Sequence, residues 1–115
     1  MLPYRRWRVL ELRPAKFLRV FLAGGKLHEA IIARCRELQV AGATVLAAQE
    51  GFGGGPDIHR ARLLSNDRPL VIHIVDSEEK IARLIPEIER MIGTGMLAVS
   101  DVQLLRIHKD NWFTH

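Results

Sequence analysis

Two segments of the sequence, KFLRVFLA at 16–23 and RPLVIHIVD at 68–76, are apolar on both faces of an extended chain. Both are rich in the β-branched and aromatic residues that suit strands. In the first, Phe17 and Phe21 alternate with Leu18, Val20 and Leu22; in the second, Leu70, Ile72 and Ile74 alternate with Val71 and Val75. Strands of this kind must be covered on both sides. Only two helical patterns are available to cover them. One runs from Lys26 to Val40, with Leu27, Ile31, Cys35 and Leu38 on one stripe and Ala30 and Ile32 widening it. The other opens at Asp76 or Ser77, both good caps, and carries Ile81, Leu84, Ile85, Ile88 and Met91 or Ile92.

The remaining boundaries complete an order. Gly24 and Gly25 break the first strand, and Gly42 is expected to close the first helix. ATVLAAQE at 43–50 reads as the second strand and RPLVIHIVD as the third. Pro86 predicts a kink near 82–86, GTG at 93–95 stops the second helix, and DVQLLRI at 101–107 reads as the fourth strand. The order β-α-β-β-α-β predicts an α+β, ferredoxin-like fold, a four-stranded antiparallel sheet with two helices on one face. The other face then stays apolar, a larger patch than monomers tolerate, and copies of the same chain are its expected cover. The 115 residues divide into a basic N-terminal arm (1–15), one domain (16–108) and a tail (109–115).

Composition narrows the function classes. A single cysteine, Cys35, allows no internal disulfide, and its place on the helix stripe predicts a buried, inert thiol. No apolar run approaches the roughly 20 residues of a membrane span, and MLPYRRWRVLEL lacks the apolar block of a signal peptide, so a cytoplasmic protein without membrane insertion is expected. Residues 1–16 carry five basic groups against one acidic, while the rest of the chain carries twelve of each. The body is therefore not a nucleic-acid surface; only the arm, with Tyr4 and Trp7 beside its arginines, offers that alternative. The five histidines show no metal-ligand spacing, and no nucleophile–base pair suggests catalysis. Glu78, Glu79, Glu87 and Glu89 read as solvated helix residues. His73, between Val71 and Val75, is expected on the uncovered sheet face.

The stretch VAGATVLAAQEGFGGGPDIH at 40–59 concentrates glycine at one strand end. Gly51, Gly53, Gly54 and Gly55 can turn backbone N–H groups toward an anion, although GFGGGP is not a dinucleotide fingerprint and GGKLHEA is not a P-loop. Arg60 and Arg62 share a face of an extended chain and could clamp phosphate.

Gly42, Thr44 and Val45, followed by Gly51, Phe52 and Gly53, resemble the entry and exit of the second strand in the PII signalling superfamily. IHRARLL, LVIHIVDSEEKI and IPEIERMIGTGMLAVSDVQLL resemble its branch known as domain of unknown function 190, so that the likeness spans about residues 16–108. The resemblance implies a homotrimer, with nucleotides bound in clefts between subunits. A mobile T-loop, here Phe52 to about Asp67, and a B-loop, about Gly93 to Asp101, would line each cleft. The ligand-binding candidates it singles out are Gly42, Thr44, Gly51, Phe52, Gly53, Arg60, Arg62, Thr94 and Gly95. The T-loop segment has no tyrosine to modify, and GTGMLAVSD lacks the lysine-bearing G-D-G-K stretch of the nitrogen sensors. The resulting expectation is a non-enzymatic trimeric regulator with no required cofactor. It would sense a small anionic effector, an adenine nucleotide above all, and signal through the 52–67 loop to a protein target such as a transporter or enzyme. The alternatives are a small ferredoxin-like enzyme and a nucleic-acid binder acting through the basic arm.

Overall fold

A computed structural model describes residues 11–52, 58–60 and 68–107 of the chain. Strand β1 (Arg13–Leu22) leads into helix α1 (Leu27–Glu37), then β2 (Gly42–Ala47), the short β3 (Glu50–Phe52) and β4 (Ile58–Arg60), β5 (Leu70–Asp76), helix α2 (Glu78–Ile92) and β6 (Met96–Leu104). The four long strands form one antiparallel sheet in the order β2-β5-β1-β6, and β3 and β4 form a separate two-stranded ribbon. The predicted α+β, ferredoxin-like βαββαβ arrangement is the observed one, with the ribbon as an insertion between the second and third main strands.

The two apolar faces of β1 and β5 separate cleanly. Leu18, Val20, Leu22, Leu70, Ile72 and Ile74 meet Ile31 and Cys35 of α1 and Ile81, Leu84 and Ile88 of α2 in one buried cluster. The central strands can afford this face because both helices lie on it, α1 toward β2 and α2 across β1 and β5. Opposite residues of an antiparallel pair share a face, so the register assigns the other side row by row. The middle row is Thr44, His73, Arg19 and Ala98, one residue from each strand. It is flanked by the row Leu46, Val71, Phe21, Met96 and by the row Gly42, Val75, Phe17, Ser100. Leu46 and Met96 are each 46% exposed. This is the uncovered apolar face expected from the sequence, and His73 lies on it.

Two boundaries differ from the sequence-based expectation. Helix α1 ends before Gly42. Its C-cap is Leu38, and Gln39 adopts a left-handed conformation with φ 55°. The Val40 N–H donates to the Cys35 carbonyl at 3.1 Å and the Gln39 N–H to the Arg36 carbonyl at 3.1 Å, a complete Schellman closure. Gly42 is instead the first residue of β2. Strand β6 begins at Met96 rather than Asp101, because residues 96–100 pair with Phe17–Phe21 of β1. The expected B-loop, 93–101, thereby shrinks to the three-residue corner 93–95. Helix α2 continues as one element through Pro86.

Asp76 joins the two halves of the domain. It is 6% exposed, and its carboxylate accepts from the Ala41 N–H at 2.7 Å and from the Ser77 N–H. The Lys80 ammonium lies 3.7 Å from it and donates to the Gln39 carbonyl at 3.0 Å. Ser77, not Asp76, caps α2, its hydroxyl accepting from the Lys80 N–H at 3.3 Å. One buried carboxylate thus pins the α1–β2 corner to the start of α2, and hydrogen bonding from two backbone donors compensates its desolvation.

Candidate functional site

The glycine corner after α2 shapes a cleft. Gly93 caps the helix at φ 74°, a conformation side chains resist, and its N–H donates to the Glu89 carbonyl at 3.2 Å. The Thr94 N–H turns back to the Ile92 carbonyl at 2.9 Å. Gly95 then enters β6 with no room for a side chain: a Cβ there would lie 2.8 Å from Ile92 Cγ2 and 3.3 Å from the Phe21 carbonyl oxygen. Beside this corner is an open cleft of about 370 Å³, lined by Glu89, Ile92, Gly93, Gly95 and Leu97. Ile92 and Leu97 supply an apolar wall, the glycines allow close approach to backbone, and Glu89 is the one charged side chain among the described lining residues. Its size and mixed character suit part of a small organic ligand.

The second group of candidates leaves the sheet elsewhere. Beyond Ala47, the Ala48 N–H donates to the Pro69 carbonyl at 2.7 Å, which closes the neck of the 49–68 connection. Past that neck the backbone of Gly51 and Phe52 belongs to β3 and that of Arg60 to β4, with Glu50 opposite Arg60 and Phe52 opposite Ile58. Gly53 and Arg62, like most of the 52–67 loop, lie outside the described residues.

The register shows which candidates share a neighbourhood. Ala47 pairs with Leu70, Leu70 with Leu22, and Met96 with Phe21. The neck of the 49–68 connection and the Thr94–Gly95 corner are therefore at the same end of the sheet. They are also on opposite edges, since β2 and β6 are the outer strands, about 14 Å apart at three strand spacings. Within one chain they do not form a single pocket. Gly42 and Thr44 behave differently again. Gly42 pairs with Val75, at the far end of β2 from that neck, and a Cβ on it would meet Val75 Cγ1 at 3.4 Å. That is an ordinary van der Waals distance, so packing alone does not require a glycine there. Thr44 is exposed on the open face, in the row with His73 and Arg19.

That row has a defined geometry. The Arg19 guanidinium sits 4.4 Å from the centroid of the Phe17 ring, and the His73 ring meets Phe17 at 5.1 Å and 66°, edge to face. One aromatic ring holds two basic side chains. Sequence reading placed His73 on this face but missed Arg19 as its neighbour; the signal was the odd-numbered position of Arg19 between Phe17 and Phe21. It also missed Glu89, Ile92 and Leu97 as cleft residues, because residues 96–100 were read as loop. Among the described residues there is no cluster that could hold a metal ion, and no helix long and apolar enough to cross a membrane.

Known proteins give this arrangement a context. The family model of domain of unknown function 190, described as "Uncharacterized ACR", matches residues 15–104. A UPF0166 protein of Aquifex aeolicus (strain VF5) is 32% identical over 98 residues, which cover 78% of this chain and 92% of the relative. Among solved structures, CPII, a nitrogen regulatory PII-like protein from Thiomonas intermedia K12, is similar in its form bound to ADP and bicarbonate. The TM-score is 0.70 at 24% identity, covering 83% of this chain and 92% of that one. The periplasmic divalent cation tolerance protein CutA from Archaeoglobus fulgidus is similar with a TM-score of 0.56 at 16% identity, covering 84% and 90%. At these identities the structural likenesses show a shared fold.

Proposed function

Because the chain belongs to the family of domain of unknown function 190 and shares the fold of the PII-like protein CPII, we propose that it is a PII-like homotrimeric regulator that binds an adenine nucleotide between subunits. The observation that carries this reading is the placement of the two half-sites. The neck of the 49–68 connection, from which the chain runs on to Gly51 and Phe52, and the Thr94–Gly95 corner lie at one end of the sheet but on opposite edges. A neighbouring copy, packed with its sheet beside this one, brings the loop root of one chain to the corner of the next. The open face with Phe17, Phe21, Val71 and Val75 supplies the apolar surface for that packing. The nucleotide base would lie on Ile92 and Leu97, and Arg60 and Arg62 would approach the phosphates from the loop. CPII, which shares the fold, has been seen with ADP.

Ligand contacts that favour one arrangement of the 52–67 loop would make it a signal to a protein target such as a transporter or enzyme. In this reading the protein is non-enzymatic, needs no cofactor and acts in the cytoplasm. Among the described residues no convergent titratable cluster lines the cleft, so the geometry adds nothing to the reading as a small enzyme. Calorimetry with ATP, ADP, AMP and cyclic nucleotides, alongside a mass measurement of the assembly, is the test. A trimer that binds at least one adenine nucleotide is expected. Silence across that panel at millimolar ligand removes the nucleotide, and a monomer at all concentrations removes the shared cleft.

A further inference from the structure

We propose that Arg19 and His73 form a binding site for a small oxyanion at the centre of the open sheet face, and that occupation of this site favours assembly of the chain. The assembly half of this inference rests on the trimer reading above; the anion site itself rests on three observations of a single chain. Arg19 and His73 are direct cross-strand partners, one on each central strand of the sheet, and their side chains share a face. Both are held by the same ring, Arg19 stacked on Phe17 at 4.4 Å and His73 against it at 5.1 Å. Stacking occupies the face of a guanidinium and leaves its in-plane N–H donors pointing outward, the edge that matches two oxygens of an oxyanion. The Thr44 hydroxyl, opposite His73 in the same row, adds a further donor position.

The third observation is the charge of the face. Among the described residues of the sheet, no carboxylate occupies a register position on this side; Asp76 and Asp101 both fall on the helix side, opposite Lys16. Arg19 has no ion pair among the described residues. The rows on either side of it hold Leu46, Val71, Phe21 and Met96, and Val75 and Phe17. A copy that covers those apolar rows with the same face also buries Arg19 and His73, and brings the same two basic groups and no carboxylate at any described register position of that face. Burying an unpaired guanidinium is unfavourable, and bringing like charges together adds to the cost. A small oxyanion taken from solution resolves both costs, which makes it the complement this face lacks. The ligand class is therefore a compact oxyanion such as phosphate or sulfate, small enough to sit within one polar row.

Inorganic sulfate is the probe, titrated into the full chain at constant ionic strength with chloride as the balancing anion. The ring resonances of His73, assigned through His73→Gln, and the sedimentation mass are read on the same samples. The expected result is a saturable shift of the His73 ring, with the assembled fraction rising along the same curve. Arg19→Gln should weaken sulfate binding by about tenfold or more. Phe17→Leu, which keeps an apolar side chain but removes the ring that holds both groups, should weaken it to a lesser degree. No saturable shift, or the same shift in Arg19→Gln, overturns the inference; a trimer that persists at every sulfate concentration then leaves the assembly reading standing. Conversely, an Arg19-dependent sulfate shift in a chain that stays monomeric supports the anion site and removes the trimer.

Discussion

Arg34 of α1 grips Glu87 of α2 with two donors, Nε to Oε2 at 3.0 Å and Nη2 to Oε1 at 2.9 Å. The same guanidinium also reaches Glu37 at 2.9 Å through Nη1. The pair joins the two described helices on the sheet's covered face. Hydrogen bonding to Arg34 holds the Glu87 carboxyl below the usual 4.5 of a glutamate. A depressed carboxyl contributes stability that is present above its unfolded pKa and is lost as pH falls through its folded one. Urea unfolding of wild type and Glu87→Gln should therefore differ at pH 6, with the variant less stable. The difference should shrink as the pH is lowered through 4 and below. A gap that stays constant down to pH 3 would mean that the pair contributes through shape and not charge.

Gln39 occupies the left-handed position of the α1 closure at φ 55°. Replacing it with glycine relieves the backbone strain while keeping the carbonyl that Lys80 donates to. Gln39→Gly should raise stability by about 1 kcal/mol, read as a higher urea midpoint at unchanged slope.

Gly93 and Gly95 should separate two kinds of glycine requirement. Open space surrounds a Cβ at Gly93, so Gly93→Ala should cost only backbone strain, about 1–3 kcal/mol for a residue at φ 74° and ψ −75°, the centre of a γ-turn closed by the Thr94 N–H and the Ile92 carbonyl. At Gly95 the new methyl meets a stiff β-branched carbon and a strand carbonyl, so Gly95→Ala should cost about 1–3 kcal/mol and displace the cleft wall. Thermal unfolding ranks the two. If nucleotide binding survives in Gly95→Ala while stability drops, the cleft at 93–97 is not the ligand site.

Burial in the core pushes the Cys35 thiol up to about 11 from its usual 9.0, because the thiolate has no solvent there. That is about a hundredfold less thiolate at pH 8, before access is considered. A disulfide reagent at pH 8 should leave the folded protein unlabelled for as long as it takes to react fully in urea. Fast labelling of the folded chain would place Cys35 outside the cluster it is assigned to.

The core was legible because it repeats. Leu18, Val20 and Leu22 alternate, Ile81, Leu84 and Ile88 return at helical spacing, and both patterns end in one cluster. Edges and corners were not. Residues 96–100 form an edge strand whose side chains are largely exposed, Val99 at 48%, so the alternation that marks a half-buried strand is faint there. The closure of α1 at Gln39 was hidden because a glycine, which adopts the left-handed conformation at lower cost, stands three residues later; hydrogen bonds from Val40 and Gln39 decide it instead. The candidate site was legible only as a set of residues. Their distribution over two edges of the sheet depends on strand order, which no local pattern contains.

That distribution has a genetic reading. If each pocket takes its loop root from one chain and its glycine corner from another, lesions at Gly51 and at Gly95 are complementary rather than cumulative. A cell carrying both defective alleles would reassemble some intact pockets from two broken products. A single allele carrying both lesions would reassemble none.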